Sequence, residues 1–308
     1  VLCILSLLPA YSQPDSIANT EPLIEKYSLE DLLQTRIVTA KKKSQLLEEI
    51  SATVMVLSKE EIEKYGIQSI TDLLNHITGF YMIDDYYWMG NVNFGVRGFY
   101  NVGIASNLVI LVNGVSQLSD EYADYPDTKI TVPIEAVQRV EIVKGPVSVL
   151  YGSGGFFGAI NIITHDEGQD NQIEVNASAG NRRKGKVYMG VNGSSKDISY
   201  SVYASASEDR GIDVPYGRLT SDINLLSDHS LTPDSRTKGQ LGREKKYFGS
   251  VLTLYEDLTL DFSYNETVKG MMDGTPSFGV GSEITHAAAN FALRVNHEFN
   301  SKLSSRFQ

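Results

Sequence analysis

Residues 137–164 read Val-Gln-Arg-Val-Glu-Ile-Val-Lys-Gly-Pro-Val-Ser-Val-Leu-Tyr-Gly-Ser-Gly-Gly-Phe-Phe-Gly-Ala-Ile-Asn-Ile-Ile-Thr. Val140 to Val143 make a short β-branched strand that runs into a Lys144-Gly145-Pro146 turn. A glycine-studded hinge follows, then a second strand from Ala159 to Thr164. The glycines of the hinge invite a dinucleotide fingerprint, which needs G-x-G-x-x-G between a strand and a helix. Here Gly158 falls one place late and a strand follows it, so no helix N-terminus is present to hold a phosphate. The glycines read instead as left-handed turns and points of close backbone packing.

Upstream, the texture is compact and mixed α/β. Thr53 to Leu57 is strand-like. Ser58 with Glu61 forms a capping box that opens a helix, and Gly66 ends it. A second helix spans Ile70 to Ile77, with Gly79 as its stop. Asn107 to Val112 is a buried strand, and Asn113-Gly114 turns it tightly into Val115 to Leu118. Pro133 sits in the first turn of a helix running through Val137. Leu29 to Leu33 makes one helical turn within a polar arm.

Downstream of Asp166 the period becomes two. Ile173, Val175, Ala177 and Ala179 alternate with polar residues, and the pattern recurs around Val187, Val202, Leu260 and Phe291. A less regular strand spans Tyr247 to Tyr255, and Lys302 to Gln308 begins one more. Such strands suit a soluble sandwich or a membrane barrel equally. The connections discriminate: after the first pair, long ones (208–245, 267–287) alternate with short ones (256–257, 300–301), as in transmembrane barrels.

Composition narrows the classes. The net charge of −11 on 308 residues argues against a nucleic-acid surface. Residues 1–12, VLCILSLLPAYS, read as the apolar core and cleavage site of a signal peptide whose charged n-region is missing. The one cysteine, Cys3, falls inside it, so a protein maturing near Gln13 has neither a disulfide nor a thiolate metal site. No run of 18 apolar residues occurs, which argues against a membrane-spanning helix but not against a barrel. His76, His165, His229, His286 and His297 are scattered without metal-ligand spacing, no catalytic constellation is legible, and the reading is of a non-enzyme that needs no cofactor.

Four segments carry a resemblance: Ser51 to Ser58, Gly95-Val96-Arg97-Gly98-Phe99, Leu111-Val112-Asn113-Gly114-Val115, and the 137–164 block. In this order and spacing the chain resembles the plug domain of TonB-dependent outer-membrane receptors, over about residues 36–166. The resemblance implies an α+β plug followed by antiparallel strands of a transmembrane β-barrel. Domains are then expected at 1–12 (signal peptide), 13–40 (periplasmic arm), 41–166 (plug) and 167–308 (first part of the barrel). Plugged barrels have about 22 strands, whereas this chain has room for about seven, so the expectation is a piece of a longer receptor.

The resemblance also implies sites. An extended segment before the plug pairs with the periplasmic protein TonB, and Thr35-Arg36-Ile37-Val38-Thr39-Ala40 fits by position and β-propensity. Arg36 departs from the usual apolar or acidic residue. Arg97 and Lys144 match two plug arginines that pair with barrel glutamates; lysine at 144 loses the bidentate geometry. The densest aromatic cluster of the chain lies in residues 80–101, and the resemblance puts its 82–92 loop at the plug apex. Ligand contacts are expected at Tyr81, Asp84, Asp85, Tyr86, Tyr87, Trp88 and Tyr100, with 122–127 as a weaker candidate. The implied activity is TonB-driven import of a scarce ligand, an iron–siderophore complex or a corrinoid, with TonB and outer-membrane lipid as partners and the bacterial outer membrane as location. The alternative is a soluble or surface-exposed ligand-binding protein without transport activity.

Overall fold

The computed structural model describes residues 53–84, 92–100, 108–117, 130–148, 155–165, 171–181, 184–211, 213–218, 230–237, 242–255, 257–270, 283–300 and 303–307, with 36–37 and 45–46. Those last two pairs are strands β1 (Arg36–Ile37) and β2 (Gln45–Leu46), which pair antiparallel. The arm's helical turn and the signal segment lie outside the described residues.

The first body opens with β3 (Thr53–Ser58), followed by helices α1 (Lys59–Lys64) and α2 (Ile70–His76). The capping box is formed in both directions: Glu61 N–H donates to Ser58 Oγ and Ser58 N–H to Glu61 Oε2. Gly66, with φ at +66°, follows the helix end. Then come β4 (Phe80–Asp84), β5 (Val92–Val96) and β6 (Phe99–Tyr100), a small antiparallel sheet of its own. After them follow β7 (Leu108–Val112), β8 (Val115–Ser116), β9 (Arg139–Lys144) and β10 (Gly158–Ile163). With β3 they form a five-stranded sheet in the order β3-β9-β10-β7-β8, in which only β7 and β10 run parallel. The helix expected from Pro133 to Val137 is a single 3₁₀ turn, Ile134–Ala136, because Val137 is already extended.

Every residue of β7 and β10 is buried. Leu108, Ile110 and Val112 join Leu73, Leu74, Ile77, Ile142, Ile160 and Ile162 in the main core, while Val109 and Leu111 turn to the other face against Val143, Val147 and Ala159. Two buried faces explain why these strands read as continuous apolar runs. Gly158 lies so close to β9 that a Cβ would sit 2.2 Å from the Val143 carbonyl oxygen, so the expected close-packing role holds there.

The second body is a meander of seven strands: β11 (Gln172–Gly180), β12 (Lys184–Ser195), β13 (Ile198–Asp209), β14 (Arg243–Leu254), β15 (Leu258–Gly270), β16 (Glu283–Asn300) and β17 (Leu303–Phe307). Each pairs antiparallel with its sequence neighbours, giving one open sheet. Connections 196–197, 255–257 and 301–302 share one end, and 210–242 and 271–282 the other. No described helix is long and apolar enough to cross a membrane.

The faces of this sheet settle what alternation alone left open. Ile173 is 71% exposed, Val187 57% and Phe291 69%, whereas Ser201, Ser205, Asp261, Ser263, Asn265, Thr267 and Lys269 are buried. The polar face is turned inward and the apolar face outward, the reverse of a soluble sandwich and the pattern of a barrel wall in lipid.

Candidate functional site at the plug–wall interface

The polar face of the wall receives the first body. Tyr188 on β12 and Tyr203 on β13 enter the main core of the plug. Their rings lie flat against the wall because the neighbouring positions are glycine. A Cβ on Gly190 would fall 2.3 Å from Tyr188 Oη, and one on Gly249 2.3 Å from Tyr203 Cζ. Tyr203 is paired in register with both glycines.

Polar contacts flank these rings. On the β11–β12 side, Lys59 Nζ meets Glu174 Oε2 at 2.6 Å, and Lys186 Nζ meets Glu135 Oε1 at 2.5 Å. The paired side chains are about a fifth exposed, and Lys186 Nζ also donates to the Gln68 carbonyl at 3.4 Å. On the β15–β16 side the contacts form a buried network. Thr131 Oγ1 and Ser263 Oγ are 2.7 Å apart, and Asn290 Nδ2 donates to Gln117 Oε1 at 3.0 Å. Asn113 donates to Asp261 Oδ2 at 2.8 Å, and Arg294 Nη1 donates to the Asn113 carbonyl at 2.7 Å.

His165 follows the last plug strand and puts Nε2 3.0 Å from Ser199 Oγ. Burial, with the positive charge of Arg294 second, pushes its imidazole below the ordinary 6.5. The neutral ring is therefore the form suited to this seat.

The sequence-predicted residues fall in three groups. Arg97 and Lys144 are brought together around one turn: Arg97 N–H donates to the Gly79 carbonyl at 2.7 Å and Lys144 Nζ to the Thr78 carbonyl at 3.2 Å. Arg97 adopts φ 52° before Gly98 at φ 79°, the conformation of a two-residue hairpin turn, and its side chain is exposed. Tyr81 is half-buried and lies across its register partner Gly95, where a Cβ would sit 2.0 Å from the ring. Asp84 ends β4 and Tyr100 lies on β6; Arg36 and Ile37 form β1, one edge of which is taken by β2. Asp85, Tyr86, Tyr87 and Trp88, the 122–127 loop, Thr35, Val38, Thr39 and Ala40 lie outside the described residues. Among the described residues no group of three or more His, Cys, Asp or Glu side chains is placed to hold a metal.

Sequence reasoning missed Asp261, Arg294, Asn290 and Lys186. Each belongs to the polar set of an alternating strand, and the local signal was charge alone: Asp261 and Arg294 stand among mostly neutral Ser, Thr and Asn.

Comparison with known proteins places the fold. A family model described as the TonB-dependent Receptor Plug Domain matches residues 47–159. The iron-regulated outer membrane virulence protein of Vibrio cholerae is 27% identical over 231 residues, taking in 67% of this chain and 34% of that protein. Vitamin B12 transporter BtuB of Vibrio vulnificus is 31% identical over 146 residues, 47% of this chain and 23% of the transporter. The chain thus spans about a third of the first relative's length and under a quarter of the second's. The pyoverdine outer membrane receptor FpvA of Pseudomonas aeruginosa shares the fold with a TM-score of 0.64 at 16% identity, over 90% of this chain and 40% of the receptor. The siderophore receptor PirA of Acinetobacter baumannii does so with a TM-score of 0.56 at 22% identity, over 82% of this chain and 38% of PirA. These relatives are receptors and transporters of the outer membrane, not enzymes. The chain thus carries a TonB-dependent receptor plug domain, seated on a wall whose polar face is turned inward, and the pair shares its fold with outer-membrane receptors.

Proposed function

We propose that the protein imports a scarce, bulky chelate across the outer membrane, an iron–siderophore complex or a corrinoid, with the energy supplied by TonB. The observation that carries this reading is the inverted sheet: a polar wall closed by a folded plug suits a gated path for a polar ligand, and its apolar exterior suits lipid. The names of the relatives, one iron-regulated and one a vitamin B12 transporter, supply the two ligand classes. TonB is assigned the segment Thr35 to Ala40, since a segment of high β-propensity can add a strand to a partner's sheet edge. The ligand is assigned the apex cluster Tyr81, Asp84, Asp85, Tyr86, Tyr87, Trp88 and Tyr100, and Arg97 and Lys144 are assigned contacts with barrel glutamates. The soluble alternative would turn the polar strand faces to water, and here they are buried.

The test is uptake by cells that lack their own receptors and express this one. Labelled ferric siderophores and labelled cobalamin are offered with and without TonB. Accumulation of one class that disappears without TonB, and on deletion of residues 35–40, is the expected result. Surface binding with no TonB-dependent accumulation of either class would sink the proposal.

A further inference from the structure

The Asn113–Gly114 turn does more than join two strands. Parallel pairing of β7 with β10 sets Asn113, just past the end of β7, beside Thr164, just past the end of β10. Asn113 takes φ 48°, which asparagine tolerates, and its amide is used at both ends. Nδ2 donates to Thr164 Oγ1 at 2.9 Å and to Asp261 Oδ2 at 2.8 Å, while Oδ1 accepts from Thr164 N–H at 3.0 Å. Arg294 closes the ring, with Nη1 on the Asn113 carbonyl at 2.7 Å and Nη2 on Asp261 Oδ2 at 3.3 Å. The strand pair β15–β16 places Asp261 opposite Ala292, two residues from Arg294 on the same face.

We propose that Asp261 and Arg294 are positioning residues: they form a clamp on the wall that grips the Asn113 turn and sets where the plug sits. The chemistry explains why the plug contributes a neutral amide. The side-chain amide of Asn113 donates to Asp261 and its main-chain carbonyl accepts from Arg294, so the carboxylate and the guanidinium of the clamp are each engaged without a further buried charge. The clamp also reaches Thr164, next to the exit of the chain from plug to wall, so it fixes the end of the plug sheet nearest that exit. The contacts on the β11–β12 side are made by the flexible side chains of Lys59, Lys184 and Lys186, partly open to solvent, which slide and resolvate at lower cost. On the transport reading above, plug movement then pivots on this turn.

The test is a charge exchange in the receptor held in outer-membrane vesicles, read by amide hydrogen exchange over residues 108–117 and 159–165. Asn113→Asp is nearly isosteric but sets two buried carboxylates against one guanidinium. Exchange in both segments is expected to rise roughly tenfold or more. Adding Asp261→Asn restores one carboxylate, one amide and one guanidinium, and exchange is expected to return to within about threefold of the starting protein. Arg294→Gln, tested alone, is expected to loosen 108–117 while leaving α1 and α2 at their original rates. Unchanged exchange in Asn113→Asp or Arg294→Gln, or no rescue by Asp261→Asn, overturns the clamp. Uptake is measured in cells expressing the unsubstituted protein: absence of uptake there would count against the transport reading alone and leave the exchange result standing.

Discussion

In the plug, β7 and β10 bury every side chain, and all but Asn161 are apolar. In the wall, β15 buries Asp261, Ser263, Asn265 and Thr267 and turns Leu260, Phe262 and Tyr264 to the other side. The plug obeys the rule for proteins in water. The wall reverses it, because its outer solvent is apolar and its inner neighbour is the polar skin of the plug. The same alternation therefore means opposite things in two solvents, and the two bodies meet through hydrogen bonds, ion pairs and two tyrosine rings rather than through a broad apolar interface.

Substitutions can break that comparison. Leu73 is fully buried in the plug core, and Leu73→Ala is expected to cost about 2–5 kcal/mol. The readout is the urea midpoint of plug proteolysis, with the wall strands unaffected. Val187 is exposed on the wall, yet Val187→Arg is expected to cost about 2–4 kcal/mol in bilayers. Glu63→Arg, on an exposed face of the plug, should stay within about 0.5 kcal/mol. Equal, small effects at Val187 and Glu63 would mean that both face water.

Finer tests sharpen the account of the seam. Gly249→Ala drives a methyl into the Tyr203 ring and is expected to cost about 1–3 kcal/mol. Adding Tyr203→Leu removes the clash, so the pair should cost less than the sum of the singles in urea titrations. Lys59→Met breaks a single, partly exposed ion pair and should cost under about 1 kcal/mol, a difference that shrinks as salt is raised. The pH effect is the smallest. His165 has its imidazole pushed below 6.5, so the unfolded chain binds the proton more readily than the seated plug. Stability should be level above about pH 6.5, fall as pH drops below it, and level off below the native value. Urea midpoints between pH 8 and pH 5 should show this fall, and His165→Gln should flatten it.

The plug was legible because its local signals agree. Ser58 and Glu61 cap α1, Asn113-Gly114 turns β7 into β8, and continuous apolar runs mark the strands buried on both faces. The seven wall strands were legible by period, and the connections hinted at a barrel. Which face pointed inward was not, since alternation is symmetric and only packing against the plug breaks the symmetry. The clamp was out of reach for a related reason: Asn113, Asp261 and Arg294 are far apart in sequence, and each has an ordinary local explanation. The 3₁₀ turn after Pro133 shows the limit at short range, where three residues are too few for the sequence to distinguish one helical turn from another.

The central claim is the inversion of the wall, and spin-label accessibility tests it directly. Single cysteines replace Val187, Met189 and Phe291 on the outward face, and Ser205 and Ser263 on the inward face, in receptor reconstituted in lipid. The account predicts that labels at the outward sites are relaxed by oxygen and shielded from a water-soluble nickel chelate, while the inward sites are shielded from both. Outward labels relaxed by the nickel chelate as strongly as labels in an exposed loop would contradict it.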